Sequence, residues 1–406
     1  MSAGAADPSE PLRVIVNCQS WLPLTENWIH TQVRCLPPSI SAHVVCGEVL
    51  DNQSFTVAWL HSYADLPRPE RLRVMVGAAF KLRSSLGRHR ALIANVAKRY
   101  GVRVVHSQFG HTAYNSATAI RRLGLAHVVS FYGADMSAAP ASDPRWRERY
   151  AVLFRLVDKV LCEGPHMAGE IRKLGCPAEK LHIHHLGVDL ESLPFRPRLL
   201  RQGEDLRILI AASFREKKGI PFAIQALAKI AGEVSFNVTI IGDARADHKS
   251  QAEKRRIVDT IARSGLSERV RLLGYQPRSI WLEEAYLHHV FLSPSVTASD
   301  GDSEGGAPVS LIEAMATGMP VISSNHADIS EVVQDGVGGF LADERDVDML
   351  AAHLRSLAAQ PDKWPQFCAA ARAHVEREFD AYRQGLRLAA VYSDLAESAR
   401  PIDSRA

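Results

Sequence analysis

Short apolar runs recur along this chain, each followed by a polar or glycine-bearing stretch and then by apolar positions three and four apart. Leu12 to Val16, Ala42 to Val45, Val102 to His106 and Val128 to Phe131 read as buried strands, with helical spacing over Ala91 to Tyr100 and Thr112 to Leu123 between them. A second series runs through Arg207 to Ala212, Val238 to Ile241, Val270 to Leu273 and Val290 to Leu292. This alternation predicts an α/β protein with two doubly wound parallel sheets. The stretch ESLPFRPRLLRQGED, rich in proline and charge, reads as the linker between two similar halves. The expected boundaries are 11–188 for the first domain, 189–205 for the linker, 206–376 for the second domain and 377–398 for a closing helix.

The most informative segment runs from 295 to 333, SVTASDGDSEGGAPVSLIEAMATGMPVISSNHADISEVV. A strand ends at Ser293-Pro294-Ser295, and a polar loop leads through Gly305-Gly306 to Pro308, which suits the first turn of a helix. Leu311, Ile312, Met315 and Ala316 give that helix an apolar face, Gly318 and Pro320 supply its stop, and Val321-Ile322 resumes a strand. A helix start approached through glycines exposes unpaired N–H groups and the positive end of the dipole, which favours a phosphate. Glu304 sits just before the turn. Glu313 projects about 200° around the helix from Leu311, where a carboxylate can accept from sugar hydroxyls. Each glutamate taken alone reads equally well as a surface cap or a solvated carboxylate on an ordinary crossover helix.

EGGAPVSLIEAMATGMPVI resembles the donor-site signature of retaining family 4 glycosyltransferases with the GT-B fold, in which two Rossmann-like domains face a central cleft. In that family the first glutamate contacts the donor sugar, the second hydrogen-bonds the nucleotide ribose, and the backbone between them holds the diphosphate and sugar. The resemblance therefore implies donor contacts for Glu304, Gly305, Gly306, Ala307, Pro308, Val309 and Glu313. The family usually has seven residues between its glutamates. Here there are eight, the extra one lying in Gly305-Gly306-Ala307. Ser213-Phe214-Arg215-Glu216-Lys217-Lys218-Gly219 resembles the family's Gly-Arg-Leu-x-x-x-Lys-Gly turn, which assigns Lys218 to the diphosphate. Ser213 stands where the family has arginine, and Arg215 is the available compensation. Taken alone, that charge run reads as a solvated face. Gly274-Tyr275 reads as a base-binding edge.

In the first domain, Phe131-Tyr132-Gly133-Ala134-Asp135 resembles the family's Phe-His-Gly-x-Asp turn and places Tyr132 and Asp135 near the transferring sugar and acceptor. A tyrosine replaces the histidine; it can donate a hydrogen bond, but a pKa near ~10 makes it a poor base. His106 and His111 are candidate substitutes, although a single histidine near a strand end is more often hydrogen-bonded structure. In the loop WLPLTENWIHTQVRCL, Asn27 is placed to cap a helix carrying Ile29, Val33 and Leu36. Thr25-Glu26-Asn27-Trp28 resembles a Ser-Glu-Thr-Phe-like turn of one subgroup, with Glu26 either facing the acceptor or solvated. His182, His184 and His185 invite a metal reading, but strand alternation splits them between faces. In relatives the last helix returns to the first domain, and Tyr382, Leu386, Ala389 and Tyr392 form a stripe suited to that.

Composition narrows the picture further. The 406 residues are 46% hydrophobic and 23% charged with a net charge of +3, which argues for two globular cores and against a nucleic-acid binder. Six cysteines form no C-x-x-C pair, and the first residues lack a basic region followed by an apolar run, so a reduced, cytoplasmic protein is expected. Charge is concentrated in one place: from Arg68 to Arg103 ten basic residues face the single acid Glu70, with Leu72, Val76, Phe80 and Leu86 interspersed. That is either a peripheral contact with an anionic membrane or a helix packing on its own sheet.

The leading expectation is a metal-independent, retaining glycosyltransferase that moves a sugar from a UDP- or GDP-type nucleotide sugar, a co-substrate rather than a cofactor, to a hydroxyl acceptor such as a lipid-linked one. The subgroup points to exopolysaccharide or glycolipid synthesis. Asp300 and Asp302 do form Asp-x-Asp, but in a glycine-bearing loop where solvation is the expected state. The alternatives are a nucleotide-sugar epimerase on the same architecture and a non-catalytic bilobed binding protein.

Overall fold

The computed structural model describes residues 10–22, 26–51, 53–63 and 85–398. It divides into two compact units, the first comprising residues up to Asp189 and from Ala381 onward, the second Leu190–Asp380.

In the first unit the strands are β1 (Leu12–Trp21), β2 (Ile40–Val49), β3 (Leu60–Ser62), β4 (Val104–Gln108), β5 (Ala126–Ser130), β6 (Lys159–Cys162) and β7 (Leu181–Ile183). They form one sheet in the order β3-β2-β1-β4-β5-β6-β7, with every pairing parallel. The second unit holds β8 (Leu206–Ala211), β9 (Phe236–Ile241), β10 (Val270–Gly274), β11 (Val290–Ser293), β12 (Val321–Ser324) and β13 (Phe340–Ala342), ordered β10-β9-β8-β11-β12-β13 and again parallel. In both sheets the winding reverses beside the first strand, between β1 and β4 and between β8 and β11. Crevices outside the carboxyl ends of such strands are where open α/β sheets bind ligands.

Central strands such as Leu206–Ala211 are apolar apart from Arg207, as expected of a parallel strand covered by helices. Ile208 and Ile210 pack with Ala223, Ile224 and Leu227 of the helix Ile220–Ile230 and with Leu350 and Leu354 of the helix Val347–Ala359. Each such side chain contributes about 1.5–3 kcal/mol by leaving water.

Several expectations shift. The helix after β1 spans Asn27–Arg34 with Glu26 at its N-cap, so Asn27 is inside the helix and caps nothing. It stops before Leu36 because Pro37 and Pro38 follow. The last helix begins at Ala381, and its buried stripe is Gly385, Leu388, Ala389, Tyr392 and Ala396, packed against β1, β4 and β5. Tyr382 and Leu386 are instead exposed, because that stripe lies one residue round the helix from where it was placed. Gly385 permits the approach: a Cβ there would meet the Cys35 carbonyl oxygen at 2.0 Å.

Thr25 and residues 64–84 lie outside the described residues, and with them half of the ten basic residues of the stretch 68–103, Arg83 included. The described remainder of that stretch is the helix Ser85–Tyr100, whose Leu92, Ile93, Val96 and Ala97 pack on Ile15, Val45 and Val105 of the sheet. Among the described residues no helix is long and apolar enough to cross a membrane. None of the six cysteines is joined in a disulfide, and all are buried.

Candidate active site

The loops that leave β8 and β11 at the reversal point meet in the second unit. The first, Ser213–Gly219, ends in Gly219 at φ 64°, where a Cβ would lie 1.8 Å from the Pro294 carbonyl oxygen at the exit of β11. Only glycine allows this approach, and it brings Lys217 and Lys218 against the loop that carries Asp302 and Glu304.

Lys218 Nζ donates to Glu304 Oε2 at 2.9 Å and lies 2.8 Å from Oε1, and Ser295 Oγ donates to Oε1 at 2.8 Å. Lys217 is buried; its Nζ donates to the Ser303 carbonyl at 2.7 Å and Asp302 Oδ1 at 3.2 Å, and lies 4.0 Å from Glu304. Arg215 completes the group by donating to Asp302 Oδ2 at 2.6 Å. Burial alone would raise the Glu304 carboxyl, but Lys218 and Lys217 with their hydrogen bonds outweigh it and bring the pKa down to about 2. Burial pushes the Lys217 ammonium down. Three cations against two carboxylates leave this cluster one positive charge.

Two expectations change here. The Arg-Glu-Lys-Lys run is not a solvated face, since Lys217 is inside the protein. Asp302 is not solvated either: at 4% exposure it neutralises Arg215 and Lys217, while Asp300 pairs with Lys249 at 2.6 Å.

The helix of the donor-like segment spans Val309–Thr317, with Pro308 at the N-cap position and Gly318 at its end in the left-handed conformation. Gly305 takes φ 82°, and both Gly305 and Gly306 are buried where the chain bends between Glu304 and the helix. The Leu311 N–H folds back onto the Pro308 carbonyl at 2.9 Å. Glu313 is 8% exposed and its Oε1 accepts from Arg278 Nη1, so the solvated reading of this residue is also corrected. Burial raises its pKa, and Arg278 offsets only part of that.

Ser213 is half-buried and gives its carbonyl to the Arg215 N–H at 2.8 Å. Tyr275 is 49% exposed at the end of β10. Four residues of the site were not foreseen: Lys217, Asp302, Arg278 and His326. His326 is buried; its Nε2 accepts the Glu304 N–H at 3.1 Å, so the proton sits on Nδ1, which donates to Glu344 Oε1 at 2.6 Å. Glu344 also accepts from the Thr297 N–H at 2.8 Å and its hydroxyl at 3.0 Å.

The first unit presents a different cluster beyond β4 and β5. Tyr132 is buried and its hydroxyl donates to Gln108 Oε1 at 2.6 Å; burial raises its pKa further above the ordinary value, removing it as a base. Asp135 Oδ2 accepts the Tyr132 N–H at 3.2 Å, and His111 Nδ1 lies 3.3 Å from Oδ1. His106 is not a substitute base: it is fully buried, hydrogen-bonded with Tyr392 at 2.6 Å and Ser130 at 2.8 Å, and burial takes its pKa down to about 3. His111 also reaches Gln19 at 3.2 Å.

Residues 25–192 match the family described as Glycosyltransferase Family 4, and residues 193–374 match Glycosyl transferases group 1. The amylovoran biosynthesis glycosyltransferase AmsK of Erwinia amylovora is 35% identical over 291 residues, covering 69% of this chain and 68% of that one. The putative colanic acid biosynthesis glycosyltransferase WcaL of Escherichia coli K12 is 32% identical over 298 residues, covering 71% and 70%. Among solved structures, Anabaena Alr3699/HepE in complex with UDP superposes with a TM-score of 0.74 at 18% identity over 94% of this chain and all of that one. Sucrose-phosphate synthase from Thermosynechococcus elongatus gives 0.72 at 16% identity, over 96% of this chain and all of that one. These likenesses set aside the epimerase and the non-catalytic binder. The chain belongs to glycosyltransferase family 4 and is a glycosyltransferase of the GT-B fold.

Proposed function

We propose that the second unit binds a nucleoside diphosphate sugar of the UDP or GDP type and that the enzyme transfers the sugar, with retention, to a hydroxyl acceptor in exopolysaccharide or glycolipid assembly. The observation that carries this reading is the cluster of Arg215, Lys217 and Lys218 around Asp302 and Glu304, beside the start of the helix Val309–Thr317. A cluster with surplus positive charge, next to a helix dipole's positive end, suits a diphosphate that gains negative charge as the sugar departs.

In this reading Lys218 and Arg215 meet the diphosphate together with the N–H groups of Gly305, Gly306, Ala307 and Val309, Pro308 shaping their turn and Ser213 flanking it. Glu304 contacts the donor sugar, Glu313 accepts from the ribose, and Tyr275 borders the base. Tyr132 and Asp135 serve the acceptor and the transferring sugar from the first unit, as hydrogen-bonding groups rather than as a base. The enzyme supplies position and charge and uses neither a metal nor a covalent intermediate. Acceptor class follows from the exopolysaccharide relatives, and a lipid-linked acceptor would bring the basic stretch 68–103 to an anionic membrane. That contact predicts co-sedimentation with anionic but not neutral vesicles, lost at high salt.

Thermal-shift titration with UDP, GDP and ADP tests the donor reading, since a ligand of the native state raises the melting temperature by mass action. One of the first two is expected to raise it; no shift with any of the three would end the proposal. Release of free nucleotide from the matching nucleotide sugar, together with the anomeric configuration of the product, then tests transfer and retention.

A further inference from the structure

The helix Val309–Thr317 is buried on every side from Leu311 to Thr317, and Glu313 is an ionisable group in that interior. Its Oε1 is held by Arg278 Nη1, while Oε2 makes no hydrogen bond among the described residues. Arg278 opens the helix Arg278–Leu287 after Gln276-Pro277, and its other terminal nitrogen, Nη2, donates to Ser192 Oγ at 3.3 Å. The guanidinium is 39% exposed, the carboxylate 11%. One oxygen is thus anchored from the solvent side, and the other is left for a ligand.

A buried carboxylate with no cation beside it takes up a proton, and a protonated carboxyl is a weaker acceptor for hydroxyl groups. Arg278 is the one basic group in contact with Glu313 among the described residues. From this we propose that Arg278 is a positioning residue that keeps Glu313 charged and aimed, and so makes the second unit select a ribonucleoside diphosphate over its deoxyribose counterpart. The inference rests on the reading of Glu313 as the ribose acceptor. It extends that reading to a residue outside the donor segment, carried in by a helix 35 positions away in sequence.

The test is calorimetric titration of the full-length protein with UDP and with 2′,3′-dideoxy-UDP, GDP replacing UDP if the thermal-shift panel selects it. Wild type is expected to prefer the ribonucleotide by about tenfold or more, the worth of a hydrogen bond to a charged group. Arg278→Ala is expected to lose about that factor for UDP while its affinity for the dideoxy compound stays at the wild-type level, so the discrimination collapses. Arg278→Lys restores a cation at that position and is expected to recover part of it. Ser192→Ala, a milder change that leaves the ion pair in place, should lower discrimination by a factor of a few.

Equal weakening of both ligands in Arg278→Ala would overturn the proposal and place Arg278 on the phosphates or base instead. Unchanged discrimination in Arg278→Ala would overturn it as well. A wild type that binds UDP without any preference for the ribose would remove Glu313 from the ribose and this inference with it, leaving the donor reading intact. A wild type that binds no nucleoside diphosphate would refute the donor reading itself.

Discussion

Around their reversal points the two sheets bury different balances of neutral and charged groups. In the first unit Asn17, His106, Ser107, Gln108, His127 and Ser130 are all buried and joined mainly by bonds between neutral groups: Asn17 donates to Ser107 at 2.8 Å, Ser107 contacts His127 at 2.8 Å and His106 contacts Ser130 at 2.8 Å, while His127 Nδ1 has no partner among the described residues and Asp135 is the buried acid nearby. In the second unit the equivalent region carries Lys217, Asp302, Glu304 and Glu313, all ionisable and all close to fully enclosed. Burying an ion costs several kcal/mol that pairing only partly returns, whereas a neutral hydrogen-bonded network costs little once every partner is present. The first unit's reversal point therefore buries mostly neutral groups, and the second unit's gives up stability to hold charge.

The sharpest way to break the comparison is Lys218→Ala. If the charge in the second unit acts on the departing diphosphate, turnover should fall by about 10²–10³ while nucleotide affinity changes much less. Steady-state rates beside a titration with the free nucleotide separate the two. A variant that keeps wild-type turnover would mean that the lysine serves only to fold the loop. Glu304→Gln, which keeps the size and removes the charge, is expected to lower turnover more than Gly305→Ala does; the opposite order would show that the extra loop residue has moved the carboxylate out of reach of the sugar.

That pair also marks how far the sequence could be read. The strands, the short helix ending at Gly318 and the lysine before Gly219 were legible because each is written in neighbouring residues: an apolar run, a stop signal, a glycine turn. Lys217, Asp302, His326 and Arg278 were not legible. Lys217 meets Asp302 across 85 positions, His326 meets Glu304 across 22, and Arg278 meets Glu313 across 35. No local pattern distinguishes a lysine that will be buried beside a distant aspartate from one that stays in water, so the charged run and the Asp-x-Asp both looked solvated. Tyr382 and Leu386 were misplaced for a different reason: the closing helix is apolar on more than one side, and the side that meets the sheet includes Gly385, which lets the Cys35 carbonyl come close.

Lys217→Ala is a test of stability rather than catalysis. Removing one member of a buried pair leaves the other charge stranded, and the expected loss is about 3 kcal/mol, the low end of the usual range because Arg215 still holds Asp302. Denaturant unfolding measures it. A change below about 1 kcal/mol would place Lys217 in the class of exposed pairs that contribute little.

Acid separates the units in a third way. Burial holds His106, His127 and His184 of the first unit neutral, with pKa values lowered from 6.5 to about 3. The unfolded chain takes up protons at these sites below pH 6.5 and the folded chain does not. Stability is therefore lost as pH falls from 6.5 toward 3, by up to about 1.4 kcal/mol per pH unit for each histidine. Glu304 behaves differently: its carboxyl is lowered from 4.5 to about 2, so its contribution persists until pH drops below 4.5. In the second unit His289 is lowered to about 4. Hydrogen exchange read by mass spectrometry at pH 7 and 5.5, corrected for intrinsic rates, should show β4 and β5 losing protection before β8 and β11. Protection lost first from β8 would mean that the ion cluster, and not the histidine network, is the weaker of the two.

The smallest effect expected is none at all, on adding EDTA. A divalent cation at the diphosphate would need free carboxylates, and those nearest the cluster are taken: Asp302 by Arg215 and Lys217, Glu304 by Lys218, and Asp300 by Lys249. A cation arriving there would have to displace ammonium or guanidinium groups and would repel the ones that stayed. In the proposed reading the lysines and the N–H groups at the start of the helix Val309–Thr317 supply the positive field that a metal would bring. Transfer activity should thus be the same in EDTA as in its absence, and Asp302→Asn should act through the loss of a partner for Lys217, lowering the melting temperature without creating a metal requirement. Complete loss of activity in EDTA, restored by manganese or magnesium, would show that Asp300 and Asp302 leave their cations when the nucleotide sugar binds and that the charge balance of the free site is rearranged in the working one.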